Sequence, residues 1–160
     1  GPQGNIYAAD IGAVPNRGGT RVYKITPNGD VSVFANGGGL NNPSGNAFGP
    51  DGILYQSNLG GHSVFKISSA GSSSLFANQG MRSPVGIAID AESNLFVASC
   101  GNNTIVKVTA DGTATTHASS GLFSCPNGIA VDEDGIVYVA NFSNGAILKV
   151  QPDMKFLALG

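Results

Sequence analysis

The sequence predicts an all-β protein, a β-propeller of four-stranded antiparallel blades with about four blades present. Three observations predict it. Lysines recur at Lys24, Lys66, Lys107 and Lys149, at intervals of 42, 41 and 42 residues, each inside an apolar run such as Val64-Phe65-Lys66-Ile67 or Ile147-Leu148-Lys149-Val150. A second ladder, Pro43-Ser44-Gly45, Pro84-Val85-Gly86 and Pro126-Asn127-Gly128, keeps the same beat at 41 and 42 residues. Within each period, short runs rich in Val, Ile, Tyr and Phe alternate with Gly, Pro, Asn and Asp, and no helical periodicity is sustained. A unit of this size cannot bury its apolar face alone and must stack on its neighbours. Four strands in roughly 40–45 residues make a propeller blade, whereas a β-helix has a shorter period.

The unit that opens at Pro126 shows each element in turn. Gly128 to Val131 is the first strand, and Asp132-Glu133-Asp134-Gly135 the turn that ends it. Ile136 to Ala140 is the second strand, followed by the loop Phe142-Ser143-Asn144-Gly145. Ile147 to Val150 is the third, Gln151-Pro152-Asp153 its turn, and Phe156 to Leu159 the fourth. The turns carry residues that tolerate positive φ, as at Asn28-Gly29, Asp51-Gly52, Asp111-Gly112 and Asp134-Gly135. The repeats run at about 4–42, 43–83, 84–125 and 126–160, as a single propeller domain or segment over residues 1–160. The first begins at its second strand, Asn5 to Ala9, so fifteen strands are expected, three in the first unit and four in each other. An inner strand for the first blade must come from elsewhere. The chain is expected to be part of a six-bladed propeller or to close by association, as a homo-oligomer through its open blade edges.

Composition bounds the partners. Charged residues make up 11 %, the net charge is −2 and there is no basic run, which argues against nucleic acid. No apolar stretch nears the roughly 18 residues of a membrane-spanning helix.

The chain resembles the NHL-repeat and SMP-30/gluconolactonase-like six-bladed propellers. The residues that carry the likeness are Pro84-Val85-Gly86-Ile87-Ala88-Ile89-Asp90 through Asn94-Leu95-Phe96-Val97-Ala98-Ser99, and Pro126-Asn127-Gly128-Ile129-Ala130-Val131-Asp132 through Tyr138-Val139-Ala140-Asn141. The start, Gly4-Asn5-Ile6-Tyr7-Ala8-Ala9-Asp10, fits the second half of the theme. There is no tryptophan, so the Trp-Asp signature of another propeller class is missing. The resemblance speaks for the fold more than for an activity, because this fold hosts lactonases, lyases, synthases and binding modules.

Strand direction puts the second-to-third loops and the blade-to-blade loops on one face, here the top. The bottom turns are short and stereotyped. From Tyr7 to Lys24 is 17 residues against 11 in the other units, and the surplus is expected in a variable top loop, Ile11 to Thr20. Variable loops on a rigid scaffold are where binding usually resides. The expected ligand-binding face therefore holds Asp10, Asn58, Ser99 and Asn141, which end second strands, with His62 in a top loop and Asn127 in the Pro-x-Gly motif. Alternatively, the strand-end residues satisfy the backbone of their own turns.

In the metal-dependent lactonases of the resembled family, ligands include an Asn or Asp just before the glycine of that motif. Asn127 matches, while Ser44 and Val85 at the equivalent positions do not. No cofactor is expected, or calcium or zinc if the lactonase reading holds. Cys100 and Cys125 both fall on the top face of adjacent blades, as a disulfide or as two free thiols; two cysteines without a nearby histidine make only half a zinc site. A disulfide would imply an extracellular or periplasmic home. His117, in an outer strand, is expected to face solvent, and the repeated lysines to lie on a solvated strand face. Two functions follow: a non-catalytic module binding a protein, glycan or small ligand on its top face, or a segment of a metal-dependent lactonase or hydrolase.

Overall fold

The computed structural model describes residues 1–13, 17–152 and 156–159. Among these, fifteen strands form four antiparallel sheets. Blade 1 holds β1 (Ile6–Ala13), β2 (Arg17–Ile25) and β3 (Val31–Asn36). Blade 2 holds β4 (Pro43–Phe48), β5 (Leu54–Asn58), β6 (Ser63–Ile67) and β7 (Ser73–Ala77). Blade 3 holds β8 (Pro84–Ile89), β9 (Leu95–Ser99), β10 (Thr104–Val108) and β11 (Ala114–Ser119). Blade 4 holds β12 (Pro126–Val131), β13 (Val137–Asn141), β14 (Ile147–Val150) and β15 (Phe156–Leu159). The helical content described is two single 3₁₀ turns, Pro2–Gly4 and Cys100–Asn102.

Strand alternation gives each blade a front face, toward the next blade, and a rear face. The rear faces of blades 3 and 4 are aliphatic: Leu95, Val97, Val106 and Val108 in one, Val137, Val139, Leu148 and Val150 in the other. Each packs on the front face before it. Tyr55, Val64 and Ala77 of blade 2 meet Leu95, Val97 and Val106. Phe96, Ala98 and Ile105 of blade 3 meet Val137, Val139 and Leu148. These fully buried aliphatic side chains hold the blades together at roughly 1.5–3 kcal/mol each.

The Pro-x-Gly motif has a packing reason. It opens each innermost strand with a register shift, between Pro43 and Asn46, Pro84 and Ile87, and Pro126 and Gly128. At this bulge the inner strands of successive blades touch through their backbones. A Cβ on Gly45 would lie 2.3 Å from the Val85 carbonyl oxygen, and one on Gly86 would lie 2.1 Å from that of Asn127. Only glycine leaves room for the neighbouring chain.

The surplus residues of the first unit do not form the loop expected from Ile11 to Thr20. Strands β1 and β2 continue upward as a longer hairpin, pairing Gly12 with Gly18 and Ala13 with Arg17; residues 14–16 lie outside the described residues. The hairpin continues past Asp10 by a bulge whose first N–H is answered locally: Asp10 Oδ1 accepts from Gly12 N at 2.9 Å. The turn expected at Gln151-Pro152-Asp153 also runs beyond the described residues at Asp153.

The repeated lysines have a more specific setting than a solvated face. Each stands directly across from an aromatic residue of the second strand: Tyr7 with Lys24, Tyr55 with Lys66, Phe96 with Lys107, Tyr138 with Lys149. Lys107 Nζ lies 5.6 Å from the Phe96 ring centre and Lys149 Nζ 5.8 Å from that of Tyr138, within cation–π reach. At the bottom of blade 2, the Tyr55 hydroxyl donates to Asp51 Oδ2 at 2.9 Å. Burial first, then the Asp51 carboxylate, pushes that phenol up to about 12.

Candidate functional site on the top face

The top face is built from one device used three times. The residue that ends each second strand turns inward and clamps the loop leading into its own blade. Asn58 Oδ1 accepts the N–H of Asn41 at 2.7 Å, and its Nδ2 donates to the Gly39 carbonyl at 2.9 Å. Ser99 Oγ accepts the N–H of Arg82 at 2.8 Å and donates to the Arg82 carbonyl or to Asn102 Oδ1. Asn141 Oδ1 accepts the N–H of Ser124 at 3.1 Å, and its Nδ2 donates to the Leu122 carbonyl at 2.8 Å. The separation from clamp to N–H donor is 17 residues every time. These side chains are 1 %, 0 % and 4 % exposed, and their polar atoms are engaged by backbone.

A second contact crosses each seam between blades. The residue before the inner-strand proline adopts a left-handed conformation in all three cases, with φ of 51° at Asn42, 48° at Ser83 and 50° at Cys125. Its N–H points back to the preceding blade. Asn42 N donates to the Gly19 carbonyl at 3.0 Å, Ser83 N to His62 Nδ1 at 3.0 Å, and Cys125 N to Asn103 Oδ1 at 2.8 Å. The seam between blades 3 and 4 is also covalent, because Cys100 and Cys125 form a disulfide, with an S–S distance of 2.07 Å.

The expected site residues are thus brought to one face, with different duties. His62 is exposed, with one ring nitrogen committed to Ser83. Asp10 lies at the base of the lengthened hairpin. Asn127 occupies the bulge of β12. The three bulge positions carry a hydroxyl, an aliphatic chain and an amide, at Ser44, Val85 and Asn127. That set does not fit a hard cation, which wants several carboxylate or amide oxygens. Among the described residues, no three His, Cys, Asp or Glu side chains stand close enough to share a metal.

Sequence reasoning missed the side chains that the clamped loops present outward. Asn41, Arg82 and Leu122 lie on these loops and are exposed. The 17-residue offset from the strand end would have pointed to Asn41 and Arg82. His117 also differs from expectation: it is half-buried on β11, its ring edge-to-face with Phe96 at 4.9 Å, and its Nε2 is buried without a hydrogen-bond partner. Burial, and then the charge of Lys107, lower its pKa below the ordinary imidazole value.

Four-stranded antiparallel blades, packed front to rear with their inner strands in contact, define a β-propeller. Residues 123–150 match the NHL repeat. Solved structures agree on the fold. A catalytically inactive virginiamycin B lyase from Staphylococcus aureus with quinupristin aligns with a TM-score of 0.73 at 17 % identity, over 88 % of this chain and 48 % of the lyase. A streptogramin B lyase aligns with a TM-score of 0.71 at 16 % identity, over 89 % of this chain and 48 % of that one. A chain of the nidogen/laminin complex aligns with a TM-score of 0.79 at 19 % identity, over 98 % of this chain and 60 % of its own length. The chain therefore spans about half the length of these lyases. No curated protein matches it in sequence. No helix among the described residues is long and apolar enough to cross a membrane.

Proposed function

We propose that the chain is a non-catalytic NHL-type propeller module that binds a protein partner across its top face, outside the cytoplasm. The observation that carries this reading is the double fixation of the lead-in loops. Each is held by its own second strand and by the preceding blade, so the backbone that carries its outward side chains is set before any partner arrives. Preorganised loops lose little conformational freedom on binding. The side chains on this face, Arg82 and Leu122 on the loops and His62 bonded to the Ser83 N–H next to Arg82, combine a forked donor, an apolar anchor and an imidazole, a composition suited to protein interfaces. The likeness to a chain of the nidogen/laminin complex and the Cys100–Cys125 disulfide are in keeping with an extracellular setting.

The test uses the 160-residue chain, R82E/L122E and the bottom-turn variant E92K against arrays of extracellular-matrix proteins and of glycans. Binding to a protein that falls at least tenfold in R82E/L122E and persists in E92K supports the reading. Binding to glycans alone, or protein binding that survives R82E/L122E, overturns it.

A further inference from the structure

The bottom end of the seam between blades 1 and 2 departs from its counterparts. In blades 2 and 4 the second-strand tyrosine commits its hydroxyl to an aspartate of its own bottom turn: Tyr55 Oη donates to Asp51 Oδ2 at 2.9 Å, and Tyr138 Oη to Asp132 Oδ2 at 3.2 Å. Blade 1 repeats the turn, Gly1-Pro2-Gln3-Gly4 for Gly49-Pro50-Asp51-Gly52, with glutamine in place of the aspartate. Among the described residues, the Tyr7 hydroxyl has no hydrogen-bond partner. The lysine differs too. Lys107 and Lys149 hold their ammonium groups over the rings opposite them, whereas Lys24, opposite Tyr7, has neither a ring nor an ion pair among the described residues.

A depression of about 190 Å³ opens where these two groups stand. Tyr7 and Phe34 of blade 1 and Phe48 and Ile67 of blade 2 line it, with Lys24 and Gln3. Tyr7 meets both phenylalanines edge to face, at 4.8 Å in each case, and the three rings are only partly buried. None of the lining residues is Asp or Glu. A strand leading into Gly1 would join β1 on the side away from β2, as β4 joins β5 away from β6, so the depression does not depend on what precedes the turn.

We propose that this depression binds a small aromatic carboxylate. A cavity of about 150 Å³ accommodates benzene, so about 190 Å³ holds one six-membered ring with a short acidic arm. The ring meets faces and edges of Tyr7, Phe34 and Phe48, the contacts that aromatic groups favour. The carboxylate accepts from the Lys24 ammonium and the Tyr7 hydroxyl, in charge-assisted hydrogen bonds that are stronger than those of a neutral acceptor.

The experiment titrates the 15N-labelled 160-residue chain with phenylacetate, phenylacetamide and hexanoate, and follows the amide shifts by NMR. The expected result is saturable shifts with phenylacetate, centred on Tyr7, Lys24 and Phe34. Phenylacetamide, which lacks the charge, and hexanoate, which lacks the ring, should each bind at least tenfold more weakly. Lys24→Met should weaken phenylacetate binding at least tenfold. Gln3→Asp should do the same by setting a carboxylate at the mouth, on a backbone with φ of 59° that aspartate tolerates. Lys66→Met, one blade on, should leave binding unchanged, and the amide spectrum itself verifies that each variant folds. Phenylacetate shifts that do not saturate or that centre elsewhere overturn the proposal. So does equal binding of phenylacetamide or hexanoate, or binding that Lys24→Met and Gln3→Asp both leave intact.

Discussion

His62 Nδ1 accepts the backbone N–H of Ser83 at 3.0 Å across the seam between blades 2 and 3, and one blade further on Asn103 Oδ1 accepts that of Cys125 at 2.8 Å. An imidazole and a carboxamide thus serve the same left-handed backbone position, with φ of 48° and 50°. Here the acceptor is required and the residue type is not. His62→Ala should leave the Ser83 N–H without its partner and cost about 1–2 kcal/mol in chemical denaturation, while His62→Asn should recover most of that loss.

The disulfide reinforces the next seam. It closes a segment of 25 residues, and its removal should cost about 3 kcal/mol on a chain-entropy estimate. Cys100→Ala with Cys125→Ser, or a dithiol reductant, should lower the melting temperature of the chain. Thiol titration of the untreated, denatured protein should find none reactive; two per chain would refute the bridge.

The motif glycines should differ sharply from one another. Gly86→Ala drives a methyl against the Asn127 carbonyl, which is fixed backbone, and should cost about 2 kcal/mol or more in a denaturant titration. Gly128→Ala, with open space before it, should change the stability of a single chain by less than about 1 kcal/mol.

His117 should make stability depend on pH. Its folded pKa lies below the ordinary value, so on acidification the unfolded chain takes the proton first. The stabilisation is therefore complete above a pH of about 6.5 and declines as the pH falls below it toward the lowered value. Denaturation curves recorded from about pH 7.5 to pH 5 should show this decline, and His117→Phe should flatten it. A slope unchanged in the variant would assign the effect to another group.

Stoichiometric calcium or zinc is not expected in the purified chain, because Ser44 and Val85 stand where Asn127 has its amide. Elemental analysis after dialysis checks this. Bound metal that is lost in Asn127→Ala would favour the lactonase reading.

The architecture was legible because period and turn chemistry are local. The lysine ladder locates every blade and the Pro-x-Gly ladder the inner strands of the last three, and most later strands fall on apolar runs, whereas β4 (Pro43–Phe48) and β11 (Ala114–Ser119) are largely polar or small and take their state from pairing. The reason for the motif was hidden, since it concerns how near Val85 and Asn127 bring their carbonyls to another blade. The lengthened β1–β2 hairpin was read as a loop because glycine and polar residues such as Gly18, Gly19 and Thr20 carry little strand propensity of their own, and pairing decides their state. The duties of Asn58, Ser99 and Asn141 depend on partners 17 residues upstream, a distance that no hydrophobic pattern reveals.

At the top of each seam the backbone N–H contact runs one way: an acceptor in one blade holds a donor in the next, from Gly19 to Asn42, His62 to Ser83 and Asn103 to Cys125. The backbone amides that report on these seams therefore sit in the later blade. A lesion in the upper loop of blade 2 frees the Ser83 N–H at the start of blade 3, and the same lesion in blade 3 frees that of Cys125 at the start of blade 4. In amide exchange, an injured loop should betray itself by faster exchange one blade downstream, like a lifted shingle that exposes only the course below it.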